Sequence, residues 1–150
     1  MKVLVFHIGA DRYALPLAAV ARVLPVAELK QVPQAPAYVA GLLDLHGVPV
    51  PVIDLSTLAG VPPAQIWFDT RIILVDYSLA GHTETLGLQA EHVAGVEAID
   101  AAALREPGID GAPFLGQVSA GAGGLLQLVD LDRLLGPEVQ RLLFRQEAAI

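Results

Sequence analysis

Apolar and β-branched residues occur along this chain in short runs that glycine, proline and polar residues separate. The run Lys2–Ile8 precedes the turn residues Gly9-Ala10-Asp11 and a second apolar run, a pattern typical of a hairpin. Leu17–Leu24 fits either a strand or one or two helical turns, because three of its apolar residues would share a helical face. The predicted strands are Lys2–Ile8, Arg12–Leu17, Val39–Leu45, Val48–Leu55, Thr70–Tyr77, Leu86–Ile99 and Leu125–Leu131.

The remaining segments add little helix. We predict loops at Ser78–Thr85 and Pro107–Gly124, and a C-terminal helix at Glu138–Glu147 with Pro137 in its first turn. Leu86–Ile99 is one strand or two, since Gly95 interrupts it. Many short strands with little helix favour a mainly β fold, a sandwich or barrel rather than a parallel sheet with crossover helices.

One segment of the chain is similar to a second segment about half the chain away. Val52–Pro62 and Leu128–Pro137 each contain a strand ending in Asp-Leu, a short turn with leucine, then glycine and a nearby proline. We interpret this as two similar corners, one in each half of the fold, with Asp54 and Asp130 capping the turns. Chance similarity is the alternative.

Composition narrows the partners this chain can have. Its 150 residues suit one domain spanning 1–150, and the absence of cysteine excludes disulfides and thiolate metal sites. The net charge of -7 opposes binding to nucleic acid and to anionic membrane surfaces. A mean hydropathy of +0.56 suggests apolar surface kept for a partner. No apolar run is long enough to span a membrane or to form a signal peptide, so we expect a cytoplasmic protein.

The search for catalytic, cofactor-binding or metal-binding residues gives none. Ser119 lacks the first glycine of a nucleophile elbow, and the glycines at 121–124 predict a turn rather than a dinucleotide loop. His82 and Glu84 have no third metal ligand. His92, beside Glu91 in a predicted strand, is expected at the surface. We therefore predict a protein that is not an enzyme.

Trp67 and Phe68 follow a pair of prolines in a predicted loop. Anchoring in the core is the default interpretation, and a partner contact is the alternative.

Five segments in a fixed order, which together cover nearly the whole chain, form the most specific pattern in the sequence. They are Phe6–Leu17, Val32–Leu55, Thr70–Val75, Gly87–Val96 and Leu125–Leu135. The most specific stretch runs from Val32 to Leu55 and includes Gly41-Leu42-Leu43-Asp44-Leu45-His46-Gly47. No single segment suffices, but the ordered series is specific, and it resembles the CheW family of chemosensory adaptors.

The resemblance implies two packed, five-stranded SH3-like β-barrel subdomains with a short C-terminal helix. It implies a scaffold that couples the regulatory domain of a CheA-type histidine kinase to the cytoplasmic tip of a methyl-accepting chemoreceptor. Such a scaffold would need no cofactor, would not insert into the membrane, and would be recruited to receptor arrays. The receptor would lie in a groove between the two barrels. The groove positions implied by the resemblance are Val20, Val39, Gly41, His46 and Val96.

Two departures from the family pattern concern this surface. Asp44-Leu45-His46-Gly47 stands where the family usually has Asn-Leu-Arg-Gly, and Arg22 stands where an acidic residue is common. We therefore include Arg22 and Asp44 among the partner-binding candidates and expect a divergent adaptor, serving a pathway other than flagellar steering. The alternatives are a regulatory or localisation partner that binds the kinase but no receptor, and a small-ligand-binding β-barrel. We also expect Gly41→Trp to abolish partner binding while leaving the thermal midpoint near that of the wild type.

Overall fold

Strands dominate the computed structural model, which describes residues 1–108, 111–121 and 123–144. Short 3-10 helices lie at Leu17–Ala19, Ala101–Ala103 and Leu131–Arg133. No helix of these residues has the length and hydropathy needed to cross a membrane. The strands are β1 (Lys2–Ile8), β2 (Asp11–Pro16), β3 (Val20–Pro25), β4 (Val39–Leu45), β5 (Val48–Asp54), β6 (Arg71–Leu79), β7 (His82–Ala98), β8 (Leu115–Gly121) and β9 (Gly124–Val129), and the helices are α1 (Leu55–Leu58) and α2 (Pro137–Leu143).

The long strand β7 belongs to two five-stranded sheets. Its first part pairs with β6 and β5, giving the order β3-β6-β7-β5-β4, which we call the β6 sheet. Its last part, from Glu91 onward, pairs with β1 and gives the order β7-β1-β2-β9-β8, the β1 sheet. Gly95 lies in this last part with a φ of +119°, a conformation that favours glycine. The single continuous strand settles the open question about Leu86–Ile99.

Each sheet curls back on itself through one pair of residues. The strand ladders stay open, but Lys30, after β3, exchanges two backbone hydrogen bonds with Leu42 of β4, at 2.9 and 2.7 Å. Arg105, after β7, exchanges two with Val118 of β8 at the same distances. The two halves are therefore built alike, and the predicted mainly β fold of two five-stranded subdomains is confirmed.

The two Asp-Leu corners occupy equivalent places in the two sheets. Asp54 follows β5, which runs parallel to β7, and Asp130 follows β9, which runs parallel to β2. Each carboxylate accepts a hydrogen bond from an amide of the next turn, at 3.1 and 3.2 Å. Each aspartate amide donates to a carbonyl just before a preceding strand, Asp54 to Tyr38 at 2.8 Å and Asp130 to Phe114 at 2.7 Å. The similarity is thus a structural repeat rather than chance.

The strands β1, β5 and β6 bury residues on both faces along much of their length, which explains their continuous apolar runs. In β1, Val3 and Val5 pack inside the β1 sheet, while Leu4 and Phe6 face a larger cluster that both sheets and α2 share. A third cluster lies inside the β6 sheet. We call the largest one the shared cluster; its strand members are Leu4, Phe6, Ile8, Leu15, Ile53, Ile73, Val75, Tyr77, Leu79, Leu86, Leu88, Ala90 and Val129.

Three predicted segment boundaries were wrong. Ser78–Thr85 is a tight hairpin rather than a loop, because Leu79 is buried and the polar residues occupy the solvent face of β6 and β7. The predicted loop Pro107–Gly124 contains β8, whose short side chains gave little apolar signal. The C-terminal helix begins with Pro137, as predicted, but ends at Leu143; residues 145–147 of the prediction lie outside the described residues.

Candidate partner-binding groove

Three of the predicted contact residues face the shared cluster from its margin. Val20 and Val39 are half-buried and pack against that cluster, and Val96 is 52% exposed. Directly paired residues lie on the same face of a sheet. Each valine is paired with a member of the shared cluster, giving Val20–Val75, Val39–Ile53 and Val96–Leu4. The structure therefore places these valines on the inner faces of both sheets.

Val23 extends the same apolar surface and was not among the predicted contacts. It is paired with Ile73 of the shared cluster, yet it is 42% exposed. Its spacing of three from Val20 gave the one available signal in the sequence. We call Val20, Val23, Val39 and Val96 the valine groove.

Gly41 is buried in β4 and shapes the groove indirectly. Its φ is +148°, and a Cβ built there would lie 2.6 Å from the carbonyl oxygen of Lys30 and 2.8 Å from Cβ of Leu29. Lys30 forms the pair that closes the β6 sheet. A side chain at this position would therefore displace backbone. This steric conflict instead predicts that Gly41→Trp lowers the thermal midpoint, against the expectation from the sequence that the midpoint stays near that of the wild type.

Asp44 and His46 lie at the tip of the β4–β5 hairpin, at the opposite end of β4 from Val39. His46 and Gly47 form the turn with φ values of +53° and +87°. The Asp44 carboxylate accepts a hydrogen bond from the Gly47 amide at 2.7 Å. Asp44 thus stabilises the turn, while the exposed His46 remains available for a partner.

Arg22 is exposed on β3, next to a register shift that separates it from Val20. Its ladder partner is Leu74, which belongs to the interior cluster of the β6 sheet rather than to the shared cluster. The structure therefore places Arg22 on the other face of β3 from the valine groove.

A polar network attaches the loop before β6 to β7. Glu91 is only 8% exposed and accepts hydrogen bonds from Ser56 Oγ at 2.5 Å and from Trp67 Nε1 at 2.7 Å. His92 Nδ1 lies 2.7 Å from Asp69 Oδ1. His92 lies at the surface as predicted, with a side chain that is 38% exposed, but it is not free there, because Asp69 and the Trp67 ring lie against it.

Phe68 lies outside the core although its neighbour Trp67 is anchored. The phenyl ring is 97% exposed, and Arg71 Nη1 donates a hydrogen bond to the Phe68 carbonyl oxygen at 2.8 Å. The core-anchoring prediction is wrong for Phe68, and Trp67 is only partly buried, held by its hydrogen bond to Glu91 rather than by packing in a core cluster.

Burial raises the pKa of the Asp54 carboxyl above its usual value, and the nearby Glu91 carboxylate acts in the same direction. Amide hydrogen bonds from Thr57 and Ser56 oppose this effect by stabilising the charged form. Asp54 is a capping residue at the corner after β5, so its altered pKa has a structural origin.

Two open clefts, of about 460 and 590 Å³, are lined by none of the seven predicted contact residues. Across the described ranges, no three or more histidine, aspartate or glutamate side chains are arranged to hold a metal ion.

Comparison with known proteins gives a consistent result. The family model for the CheW-like domain matches residues 2–138. The chemotaxis protein CheW of Bacillus subtilis (strain 168) is 33% identical over 76 residues, which cover 51% of this chain and 49% of that relative, so the match spans about half its length. The chemotaxis protein CheW of Klebsiella aerogenes is 23% identical over 139 residues, covering 90% of this chain and 81% of the relative.

The solved structure of the scaffolding protein TtCheW from Thermoanaerobacter tengcongensis is also similar. It superposes with a TM-score of 0.80 at 25% identity, covering 89% of this chain and 90% of that one. A family match over residues 2–138 leaves only the ends of the sequence outside it. The chain belongs to the CheW-like domain family.

Proposed function

We propose that this chain is a non-catalytic adaptor that couples a CheA-type histidine kinase to the cytoplasmic tip of a chemoreceptor. The observation that carries the proposal is the valine groove, four partly exposed valines whose ladder partners belong to the cluster shared by both sheets. Family membership supports a role in chemotaxis signalling. Such an adaptor would act in the cytoplasm, at arrays of membrane receptors.

The valine groove suits an amphipathic helix of the receptor. A helix that lays its apolar face into a groove is a common mode of peptide recognition. Covering the exposed part of each valine would contribute about 1 kcal/mol, so the groove would supply about 4 kcal/mol before the costs of association. A contact of this size is weak alone and would gain strength through multivalency in an array.

Gly41 supports this groove by letting β4 approach Lys30, and we propose His46 as a separate polar contact at the tip of the β4–β5 hairpin. Histidine is mostly neutral near pH 7, whereas arginine always carries a fork of donors. The contact at this turn would thus be weaker than an arginine contact. Asp44 would contribute through its charge at the hairpin tip, and Arg22 through its charge on the face of β3 opposite the valine groove.

The kinase would bind at a barrel end. β3 and β8 end the strand orders of the two sheets, and each sheet is closed by a single residue pair. Strand edges of this kind are available for pairing with another β domain. The homologous regulatory domain of a CheA-type kinase would therefore be a suitable partner.

A second candidate function is a regulatory partner that binds the kinase but no receptor. The observation that favours it is the pair of departures at Arg22 and His46, which changes the charge that the family pattern carries at two exposed positions. A small-ligand β-barrel has less support, because aliphatic side chains such as Val52 and Leu126 fill the interiors of the described sheets.

An affinity pull-down of the tagged chain from its native lysate, analysed by mass spectrometry, tests these functions. Recovery of kinase and receptor together supports the adaptor, and recovery of the kinase alone supports the regulatory partner. Recovery of neither, from a lysate that contains both, would contradict both functions.

The variants Val96→Asp and Leu142→Asp provide a matched pair for the same pull-down, since both positions are about half exposed but only Val96 lies in the groove.

A further inference from the structure

An open cleft of about 590 Å³ is lined by residues of both sheets and by none of the four valines of the valine groove. β8 and β9 supply apolar residues to its lining, and the opposite side includes Asp76 of β6. Its volume is in the range of sites that hold peptide side chains or small ligands. Its partly exposed apolar lining residues are Leu115 and Leu131, and the core residues Leu128 and Val129 add a small exposed area.

Charges around this cleft are strongly unbalanced. Four carboxylates line it against one guanidinium, that of Arg133. They come from separate chain segments: Asp76 from β6, Glu106 from the segment after β7, and Asp130 with Asp132 from the corner after β9. In the described part of the chain, no lysine or arginine forms an ion pair with any of the four. We call this site the acidic cleft.

Two of these carboxylates have only local hydrogen bonds. Asp130 accepts from the Asp132 amide at 3.2 Å, and Glu106 accepts from Gln117 Nε2 at 3.3 Å. Like charges gathered at one cleft repel each other and concentrate an electrostatic field that attracts cations. The apolar floor adds a second requirement, because a hydrated metal ion or a polyamine would leave it uncovered.

We propose that the acidic cleft binds a cationic amphipathic segment of a protein partner, with apolar side chains against β8 and β9 and lysine or arginine side chains against the rim. Charge complementarity selects this occupant: four unpaired carboxylates and a chain charge of -7 repel acidic segments. The site goes beyond the adaptor function, since it involves neither the valine groove nor the hairpin tip.

A fluorescein-labelled helical peptide of leucine and lysine, apolar on one face, is the probe. Fluorescence anisotropy with the full chain gives its affinity, and amide chemical shifts of the isotope-labelled chain locate it. Two companion peptides test each requirement: one carries glutamate in place of lysine, and the other carries serine in place of leucine. The proposal requires that both companions bind at least about tenfold more weakly than the probe.

The double variant Asp76→Asn with Asp132→Asn removes two rim charges without removing the cap at Asp130. We expect about tenfold weaker binding of the probe. The control is Glu28→Gln with Glu138→Gln, which changes the net charge equally at exposed positions outside the cleft. Equal loss in both variants, or shift changes centred away from Gly116 and Gln117, would overturn the proposal. A serine companion that binds as tightly as the probe would overturn it too, because the floor would then be unused.

Discussion

Replacing Gly41 with alanine should lower the free energy of unfolding by about 4 kcal/mol. A residue with a side chain at a φ of +148° is strained by about 2 kcal/mol. Its Cβ would also lie 2.6 Å from the Lys30 carbonyl oxygen and 2.8 Å from Leu29 Cβ. Both neighbours must move, and the two hydrogen bonds between Lys30 and Leu42 weaken, which adds about 2 kcal/mol. A loss of this size is a large fraction of the stability of a typical domain.

Urea unfolding, followed by the fluorescence of the single tryptophan and by far-UV circular dichroism, measures this loss. Gly47→Ala is the matched control, because Gly47 also has a positive φ, +87°, but nothing lies within 4 Å of a Cβ built there. In Gly47→Ala the free energy of unfolding should fall by only about 1 kcal/mol, because backbone strain is the single cost there. If Gly41→Ala cost no more than Gly47→Ala, the close approach of β4 to Lys30 would not constrain the fold and the reasoning would be refuted.

Four further outcomes are expected. Val96→Asp should weaken binding of a purified receptor-tip fragment at least about tenfold, because it adds a charge to the apolar groove. Titration calorimetry measures this affinity, and Leu142→Asp, at a similarly exposed position outside the groove, should leave it unchanged. Glu91→Leu should cost about 3 kcal/mol, because two hydrogen-bond donors lose their buried acceptor; an unshifted tryptophan emission maximum and midpoint would contradict this. Asp54 has a raised pKa in the fold, so its contribution to stability is present below its ordinary pKa near 3.8 and is lost as the pH rises through the folded value. Asp54→Asn, which keeps a capping side chain, should therefore be more stable than the wild type at pH 7 and should lose that advantage towards about pH 4. Asp130→Asn is the control for the loss of a capping carboxylate. An advantage that does not change with pH would contradict the prediction. Finally, β7 and the shared cluster join both sheets, so residues 1–150 should unfold in a single transition with coincident probes, and two separated transitions would show independent subdomains.

Strands buried on both faces were the easiest features to predict from the sequence. β1 and β6 appear as continuous apolar runs, and the predicted bounds are correct within two residues. The hairpin around Ala80-Gly81 was missed because its outward residues are polar, so the apolar signal came from alternate positions such as Tyr77 and Leu79 alone. β8 was missed because glycine and alanine carry little apolar signal in a segment that pairs with only one strand and the Arg105 bridge.

Site residues were harder to predict, because contacts between distant segments decide their roles. Glu91 appears in the sequence as one of many acidic residues, yet Ser56 and Trp67 from two other segments make it a buried acceptor. The three predicted valines came from the family resemblance, and only the ladder registers show that they share the face turned towards the shared cluster. Gly41 was predicted as a contact, but its main role is set by Lys30, which periodicity does not reveal.

The repeated architecture suggests how one small chain could hold two partners. Both sheets have the same strand pattern, the same bridged closure and the same capped corner, so the scaffold itself does not distinguish one partner from another. Side chains make the difference: the valine groove is apolar, whereas the acidic cleft combines an apolar floor with four carboxylates. Because β7 belongs to both sheets and both sheets pack on the shared cluster, a partner on one surface would keep a fixed orientation to a partner on the other. A scaffold of this kind couples its partners by position rather than by a change of shape, so binding at one surface should leave the affinity of the other unchanged.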